Sequence, residues 1–257
     1  MIGREQRFRP GLSAAERAYV ALFGMPVVGL RVRARNLLAL LPTEVRPRLV
    51  LDAGSGPGVI THLLARRYPA AQVVGIDRSP RELRDSLAVA RRAATGNVSY
   101  VCADVRSMPF ASQFDLAVAI DVLEHLVNDE AALAALAAVL RPNARLVLHV
   151  PALYRRYPVL ARRLNFEVPT HVRPGYEPAA LATMVRGAGL EILSCGFTYG
   201  LLETLANNAS YRITRARKEN KRVYAVAFPV LNLLSWLGRR ARPSRLGAGV
   251  YLVARAP

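Results

Sequence analysis

Apolar runs and amphipathic segments alternate along this chain of 257 residues. Continuous apolar runs are typical of strands that are buried on both faces, and apolar residues spaced three and four apart are typical of helices. This alternation predicts an α/β fold in which a doubly wound parallel sheet is covered by helices on both faces. The predicted strands are residues 49–54, 72–77, 98–104, 114–122, 144–150, 191–200 and 249–257, and the predicted helices between them are residues 59–68, 80–94, 129–140 and 177–190.

Two further segments with helical spacing precede the first predicted strand. They are residues 13–23 and 30–41, and Ser13 is placed to cap the first of them. We interpret residues 1–48 as an N-terminal helical lid or cap on the sheet.

Two connections are long for a compact domain. They cover residues 151–176 and 201–246, and long connections of this kind are usually lids, binding elements or linkers. We assign residues 49–200 and 247–257 to the core and residues 201–246 to an insert. Because the insert follows a parallel strand, we expect it near the active site, where the strands have their carboxyl ends.

The net charge of +18 is concentrated at the two ends of the chain. Residues 1–48 hold nine Arg and three Glu, and residues 205–257 hold eleven Lys or Arg and one Glu. The residues between them hold sixteen Arg and fourteen acids. This distribution indicates a nearly neutral body with basic attachments, whose partner is a nucleic acid, an anionic membrane or an acidic substrate. The alternative is an ordinary solvated surface that is rich in arginine.

The sequence predicts a cytoplasmic protein without a metal site. Cys102 and Cys195 stand alone, so they suggest neither a disulfide framework nor a zinc site. The N-terminal residues MIGREQRFRP lack the apolar centre of a signal peptide, and no apolar run is long enough for a transmembrane helix. The sequence makes no prediction about the oligomeric state.

A glycine-rich turn follows the first predicted strand. Gly54, Gly56 and Gly58 alternate there, which allows the backbone to approach a ligand closely. Val59 occupies the position of the third glycine in the G-x-G-x-x-G dinucleotide pattern, and the Lys-Ser/Thr pair of a P-loop is absent. The spacing therefore disfavours NAD and ATP.

Four motifs in order resemble those of the class I S-adenosylmethionine-dependent methyltransferases of the small-molecule type. The motifs are D-x-G-x-G-x-G from Asp52 to Gly58, Asp77 at the end of VVGID, Asp104 in VCADVRSMPF, and the segment FDLAVAIDVLEHL. The resemblance covers residues 49–200 and the last strand. It implies a Rossmann-like sheet of seven strands, mostly parallel with an antiparallel last strand, together with helical lid elements. It also implies S-adenosylmethionine as the cofactor.

The same resemblance implies how the cofactor is held. Asp77 would bind the ribose hydroxyls, Asp104 the adenine amine, and the N–H of Val105 a ring nitrogen. Carbonyl groups around Gly54 and Asp121 would receive the methionine ammonium. The predicted cofactor-binding residues are Asp52, Gly54, Ser55, Gly56, Gly58, Asp77, Arg78, Asp104, Val105 and Asp121.

The acceptor side offers two candidate bases. His125 follows the fourth strand and His171 lies in the connection before the last helix of the core, and either could take the proton of a hydroxyl acceptor. Alternatively, these histidines cap a helix and order a loop. Tyr154, Tyr157 and Tyr176 are candidates for the wall of the acceptor pocket, or are half-buried aromatic residues of the lid.

The insert combines a basic and an apolar part. Residues 211–222 and 239–245 are basic, and residues 223–238 between them are apolar and contain Pro229 and Trp236. This pattern fits an interfacial element that touches an anionic membrane and admits a small hydrophobic or lipid-like acceptor. The alternative is a core helix that covers the pocket.

Two other functions compete with a small-molecule methyltransferase. The basic ends would suit an RNA methyltransferase. Against this, the sequence has no additional RNA-binding module, and Asp121-Val122-Leu123-Glu124 stands where amino-directed nucleic-acid methyltransferases carry an N-P-P-Y-type tetrapeptide. A binding domain without catalysis is disfavoured because the acidic positions are intact.

Overall fold

A seven-stranded sheet forms the centre of the molecule in the computed structural model, which describes residues 1–44, 46–156, 162–164, 168–216, 221–240 and 247–257. The strand order is β3-β2-β1-β4-β5-β9-β8. The strands of this sheet are β1 (Leu49–Ala53), β2 (Gln72–Asp77), β3 (Val98–Cys102), β4 (Phe114–Ile120), β5 (Leu140–Pro151), β8 (Glu191–Thr198) and β9 (Gly249–Arg255). A separate antiparallel pair is formed by β6 (Tyr154–Arg156) and β7 (Arg162–Leu164).

The pairing of the strands confirms the predicted sheet. The neighbours from β3 to β5 are parallel, whereas β9 runs antiparallel to both β5 and β8. The strand order changes direction between β1 and β4, because β2 and β3 lie on one side of β1 and the later strands on the other. A crevice at the carboxyl ends of strands opens at such a switch point, and this is where ligands bind in open α/β sheets.

Eight α-helices accompany the sheet within the described residues. They are α1 (Ala14–Phe23), α2 (Val28–Leu40), α3 (Val59–Arg67), α4 (Pro80–Arg92), α5 (Asp129–Val139), α6 (Pro178–Gly187), α7 (Leu201–Ala216) and α8 (Lys221–Leu237). The predicted cap of α1 is confirmed, since Ser13 and Glu16 form a reciprocal capping box. A short 3₁₀ helix, Arg4–Phe8, precedes α1 and was not indicated by the apolar spacing.

The N-terminal region does more than cover the sheet. Ala34 and Leu37 of α2 are buried against Val50, Val118 and Val147 of the central strands. The same helix contributes Val28 and Val32 to a cluster with Phe228 of α8. Helix α2 is therefore a layer of the core on one side and the support of the insert on the other.

The long insert is helical where the structure describes it. Helices α7 and α8 pack on one another and on α2, so the apolar part of the insert is neither wholly buried nor wholly exposed. Phe228 is fully buried, whereas Val226 two residues away is 80% exposed. Helix α8 therefore has one buried face and one exposed face.

Candidate active site

The glycine-rich turn is held tightly against the neighbouring strand. The N–H groups of Gly54 and Ser55 both donate to the carbonyl of Ile76, at 2.9 and 2.8 Å. Gly54 has a φ of +76°, and a Cβ there would lie 2.5 Å from Cγ2 of Val122. The turn therefore has a steric as well as a conformational requirement for glycine at this position.

Asp77 organises the turn from the end of β2. Its carboxylate accepts hydrogen bonds from the N–H of Gly56 and the N–H of Ser79, both at 2.9 Å. The Ser79 side chain in turn caps α4. Each carboxylate oxygen retains a lone pair for a ligand, because an ionised carboxylate has about four acceptor sites.

Asp52 lies behind the turn rather than in the cleft. It is buried and accepts a hydrogen bond of 2.6 Å from the hydroxyl of Thr61 in α3. Burial raises the pKa of Asp52 to about 7, against the opposing effect of the Thr61 hydrogen bond. Asp52 therefore links β1 to α3 through this hydrogen bond.

A cleft of about 240 Å³ opens at the switch point. Asp104 lines it and is bound by its neighbour Arg106 through the backbone N–H and the guanidinium. These hydrogen bonds lower the pKa of Asp104 to about 2, so that its carboxylate is ionised at neutral pH. The residues that line the cleft are Gly54, Asp77, Arg78, Asp104, Val105, Asp121, Val122, His125 and Leu126.

The polar groups of this cleft fit an adenosyl compound that carries an amino acid. Gly56 has no atom within 4 Å of where a Cβ would stand, so the bare backbone leaves room beside the turn. The Ser55 hydroxyl is buried without a hydrogen-bond partner among the described residues. Two carboxylates, Asp77 and Asp104, stand at the tips of neighbouring strands, where hydroxyl and amino groups of a ligand would be bound.

Asp121 stands at the centre of a network that the sequence did not predict. Its carboxylate is 2.7 Å from Nη1 of Arg33 and 2.7 Å from Nδ1 of His149. His149 also bonds through Nε2 to the Thr198 hydroxyl at 2.9 Å. Burial acts to raise the pKa of Asp121, but the charges of Arg33 and His149 prevail and hold it below its ordinary value.

The sequence carried two signals for this network. His149 interrupts the apolar strand LVLHV near its carboxyl end, and Arg33 occurs within the helical segment 30–41. A polar side chain at such a position is normally buried only with a partner. The partners themselves could not be identified, because they lie far apart in the sequence.

A second cavity of about 390 Å³ adjoins the cleft, and Asp121 lines both. Its wall is contributed by α2, β5, the segment before α6, α7 and α8. Polar side chains are frequent in this wall. They are those of Arg33, Asp121, His149, His171, Tyr199, Asn207, Asn208, Ser210, Tyr211, Thr214 and Tyr224.

The two predicted bases lie together between the cleft and this cavity. His125 lines the cleft and His171 lines the cavity, and their ring centroids are 4.7 Å apart in an edge-to-face arrangement. Nδ1 of His125 is 2.8 Å from the carbonyl of Thr170. The pKa of His171 is lowered by burial and by the neighbouring His125.

The structure describes two of the three tyrosines that were predicted to line the acceptor pocket. Tyr154 is half-buried on β6, and Tyr157 lies outside the described residues. Tyr176 is 4% exposed and donates a hydrogen bond of 2.6 Å to the buried carboxylate of Asp129. It therefore belongs to the core near α5, and its geometry does not support the prediction that it lines the acceptor pocket.

Parts of this chain are similar in sequence to known proteins. A family model for the methyltransferase domain matches residues 50–143. The trans-aconitate 2-methyltransferase of Azoarcus sp. (strain BH72) is 37% identical over 136 residues, which cover 53% of this chain and 50% of that protein. The ubiquinone biosynthesis O-methyltransferase of Neisseria meningitidis serogroup C (strain 053442) is 31% identical over 169 residues, which cover 62% of this chain and 71% of that protein.

The match to the trans-aconitate 2-methyltransferases is thus partial, since the chain spans about half the length of these relatives. Among solved structures, the cyclase SpnF has a TM-score of 0.61 and 20% sequence identity, with 88% of this chain and 80% of that chain covered. At this level of identity the likeness shows the fold alone.

Proposed function

Because this chain belongs to the class I S-adenosylmethionine-dependent methyltransferases, we propose that it transfers a methyl group from S-adenosylmethionine to a small-molecule acceptor. The observation that carries this proposal is the meeting of the two cavities at Asp121. A donor in the smaller cavity and an acceptor in the larger one would face each other there. Alignment of two reactants in this way contributes up to about 7–11 kcal/mol to catalysis.

The residues of the cleft have distinct proposed roles. Asp77 binds the ribose hydroxyls, Asp104 and Val105 bind the adenine, and the carbonyls of Gly54 and Asp121 receive the ammonium group. When bound, the cofactor supplies a methyl group on a sulfonium, which is already a good electrophile. The protein has to hold the acceptor in line and remove any proton that it loses.

The acceptor is proposed to be a small molecule with both polar and apolar parts. The relatives are named for trans-aconitate and for ubiquinone biosynthesis, and the second name specifies an O-methyltransferase. The polar wall of the larger cavity suits an oxygen-bearing group. If that group is a hydroxyl, its proton leaves beside His125 and His171.

We further propose that the acceptor reaches the site from an anionic membrane surface, along α8. Five apolar side chains on one side of this helix are exposed at spacings of three and four residues. They are Val223, Val226, Val230, Leu233 and Leu237. Lys221 and Arg222 begin the helix, and Arg239 follows it with its guanidinium 3.5 Å from the centre of the Trp236 ring.

An apolar stripe between basic residues is typical of helices that lie in the membrane interface. Each Lys or Arg near an anionic leaflet adds about 1 kcal/mol of attraction. Within the residues that the structure describes, no helix is both long enough and apolar enough to cross a membrane. On the evidence of the exposed apolar stripe, we propose that α8 contacts the membrane surface.

Binding of S-adenosylhomocysteine tests the proposal for the cleft. Isothermal calorimetry with the full chain should give one site per chain, and Asp77→Ala should weaken binding at least a hundredfold. Two charge-assisted hydrogen bonds to the ribose, each worth about 1.5–3 kcal/mol, are the physical reason. Asp85→Ala, a carboxylate of α4 outside the cleft, is the control and should bind like the wild type. Absence of binding to the folded wild type would overturn the proposal.

Liposome flotation tests the membrane proposal. Vesicles with anionic lipid should retain the wild type, and the double substitution Val226→Glu, Val230→Glu should abolish retention. The control is Leu87→Glu, Leu193→Glu, which places the same charges on exposed apolar positions of α4 and β8. Equal retention of both double variants contradicts the role of the stripe. Binding of RNA with a steep salt dependence and no flotation would favour the nucleic-acid alternative instead.

A further inference from the structure

Glu124 is an unusual residue at the junction of the two cavities. It follows Asp121 in the turn after β4, and its side chain is 0% exposed. Among the described residues, neither carboxylate oxygen has a hydrogen-bond partner. A buried carboxylate without a partner is costly, so this position requires either a proton or a cation.

Two histidines stand beside this carboxylate. Nδ1 of His125 is 2.8 Å from the carbonyl of Thr170, and because a carbonyl only accepts, Nδ1 carries a hydrogen and Nε2 of the neutral ring keeps its lone pair. A histidine that donates one ring N–H to a backbone carbonyl is typical of metal sites, where this bond orients the ring. Nδ1 of His171 is buried and has no hydrogen-bond partner within the described part of the chain.

We propose that Glu124, His125 and His171 bind a divalent transition-metal ion of the Zn²⁺ type. One ligand atom from each residue lies within 4.8 Å of the other two. With metal–ligand bonds of about 2.0–2.2 Å, ligand atoms in a tetrahedral site are about 3.4 Å apart. The three side chains therefore need to close by roughly an ångström to hold the ion, which is a small rotamer adjustment.

The ligand set selects the class of metal. Imidazole nitrogens suit Zn²⁺ and its neighbours in the first transition row better than Mg²⁺ or Ca²⁺, which prefer oxygen ligands. Two histidines and one glutamate form the set of catalytic zinc sites in which a fourth position stays open. The site here is accordingly one with room for an additional ligand.

The surrounding charges leave the three ligands free for a cation. Within the described residues, Arg33 of α2, Asp121 after β4 and Tyr176 before α6 are among the charged or titratable groups close enough to act on the cluster. Both carboxylate oxygens of Asp121 are engaged, one by Arg33 and the other by His149. The Arg33 charge is thereby balanced by Asp121, while the charge of Glu124 remains for the metal.

The open position has a chemical use, and this part of the inference rests on the proposed methyl transfer. His125 lines the donor cleft and His171 the acceptor cavity, so the ion would stand between them. An acceptor hydroxyl bound to the ion would release its proton to water more readily. Its oxygen then forms the new O–CH₃ bond as the S–CH₃ bond breaks, and the sulfonium becomes a neutral thioether. Both histidines act as ligands in this scheme rather than as bases.

Metal binding is testable without any acceptor. Tag-free full-length protein is stripped with a chelator and titrated with Co²⁺, whose visible absorption reports its coordination, and Zn²⁺ is added as a competitor. We expect one Co²⁺ per chain, displaced by Zn²⁺. Glu124→Gln and His171→Asn should each weaken binding at least tenfold, while Glu130→Gln, an exposed glutamate on α5, should leave it unchanged. Thermal unfolding verifies that each variant is folded.

The outcomes separate this proposal from the proposed methyl transfer. If the wild type binds S-adenosylhomocysteine but takes up no stoichiometric Co²⁺, the metal site is overturned and the cofactor cleft stands. The same holds if folded Glu124→Gln and His171→Asn both bind Co²⁺ as tightly as the wild type. If Co²⁺ binds as expected but S-adenosylhomocysteine does not, the metal site stands and its role in methyl transfer is lost.

Discussion

The cleft proposed for the methyl donor (the donor cleft) and the larger cavity proposed for the acceptor (the acceptor cavity) meet at Asp121. The parts of the chain that form them differ in kind. The cleft is lined by short segments that lie at or just after the carboxyl ends of β1, β2, β3 and β4, and the glycine turn after β1 is one of them. The cavity is made of side chains from helices and strands far apart in the sequence. The hydroxyl of Tyr199, for example, donates to the carbonyl of Gly29 at 3.0 Å across 170 positions of the chain.

This difference has a physical consequence for how each region tolerates change. The glycine turn of the donor cleft depends on backbone conformation, so the methyl group of an alanine at Gly54 is enough to disturb it. A side-chain site depends on a network, so the loss of one member leaves the others partly paired and has a graded cost. Substitutions on the two sides should therefore differ in both the kind and the size of their effect.

The largest effect is expected from Gly54→Ala in the donor cleft. The new Cβ would lie 2.5 Å from Val122 at a φ of +76°, which combines a clash with an unfavourable backbone conformation. We expect binding of S-adenosylhomocysteine to weaken more than a hundredfold by calorimetry. Gly187→Ala is the control, because that glycine ends α6 with no atom within 4 Å of the added Cβ and no positive φ.

The control variant Gly187→Ala has an expected result of its own. Alanine in place of a helical glycine stabilises by about 0.5–1 kcal/mol, so Gly187→Ala should bind normally and unfold at an equal or higher temperature. If Gly54→Ala binds S-adenosylhomocysteine as tightly as Gly187→Ala does, the turn does not hold the cofactor by its backbone.

The sequence predicts the two sides unequally, for the same reason. The sheet, the glycine turn and the acids at Asp77 and Asp104 follow from periodicity and from motifs whose residues are neighbours in the chain. The antiparallel last strand followed only from the family resemblance. Arg33, His149 and Glu124 were not identified, since their significance depends on contacts that form only when α2, β4 and β5 come together.

The next largest effect is expected on stability, from Arg33→Met in the wall of the acceptor cavity. Removal of the guanidinium leaves the carboxylate of Asp121 with His149 alone. Breaking a fully buried ion pair costs about 3–5 kcal/mol. Because the side chains of Arg33 and Asp121 are 25% and 21% exposed, we expect about 2 kcal/mol by urea unfolding at pH 7.

This substitution also tests whether the two regions are independent. Arg33→Met should change the affinity for S-adenosylhomocysteine less than threefold, because no atom of Arg33 lines the described wall of the cleft. Arg46→Met removes the same charge from an exposed position and should be neutral in both measurements. A large loss of cofactor binding in Arg33→Met would show that Asp121 couples the two cavities.

An effect of similar size, visible only as a pH dependence, is expected at Asp52. Burial raises the folded-state pKa of this carboxyl to about 7, whereas the unfolded value is about 3.9. Between these values the folded state binds more protons than the unfolded state, so the free energy of unfolding falls as the pH rises. Asp52→Asn removes the titration, and from pH 5 to pH 8 the wild type should lose on the order of 3 kcal/mol relative to it.

The substitution by asparagine also changes the free energy of unfolding by an amount that does not depend on pH. The titration of Asp52 is therefore measured from the slope of the free energy of unfolding against pH. Chemical unfolding at several pH values gives the difference between each variant and the wild type. Asp85→Asn is the matched control, because it makes the same change from carboxylate to amide at a side chain of α4 that is 22% exposed. A difference for Asp52→Asn that does not change with pH would mean that Asp52 is ionised throughout and is stabilised by Thr61.

The smallest effect is expected from Tyr176→Phe. It tests whether Tyr176 belongs to the core near α5 or to the wall of the acceptor cavity. Its hydroxyl donates to Asp129, which is also 2.8 Å from Arg173, so the carboxylate keeps one partner when the hydroxyl is removed. The loss of one hydrogen bond to a charged group that remains paired should cost about 1–2 kcal/mol by urea unfolding. The affinity for S-adenosylhomocysteine and the methylation of any acceptor should stay the same. A change in the Michaelis constant for an acceptor without a loss of stability would instead place Tyr176 in the wall of the pocket, as the sequence suggested.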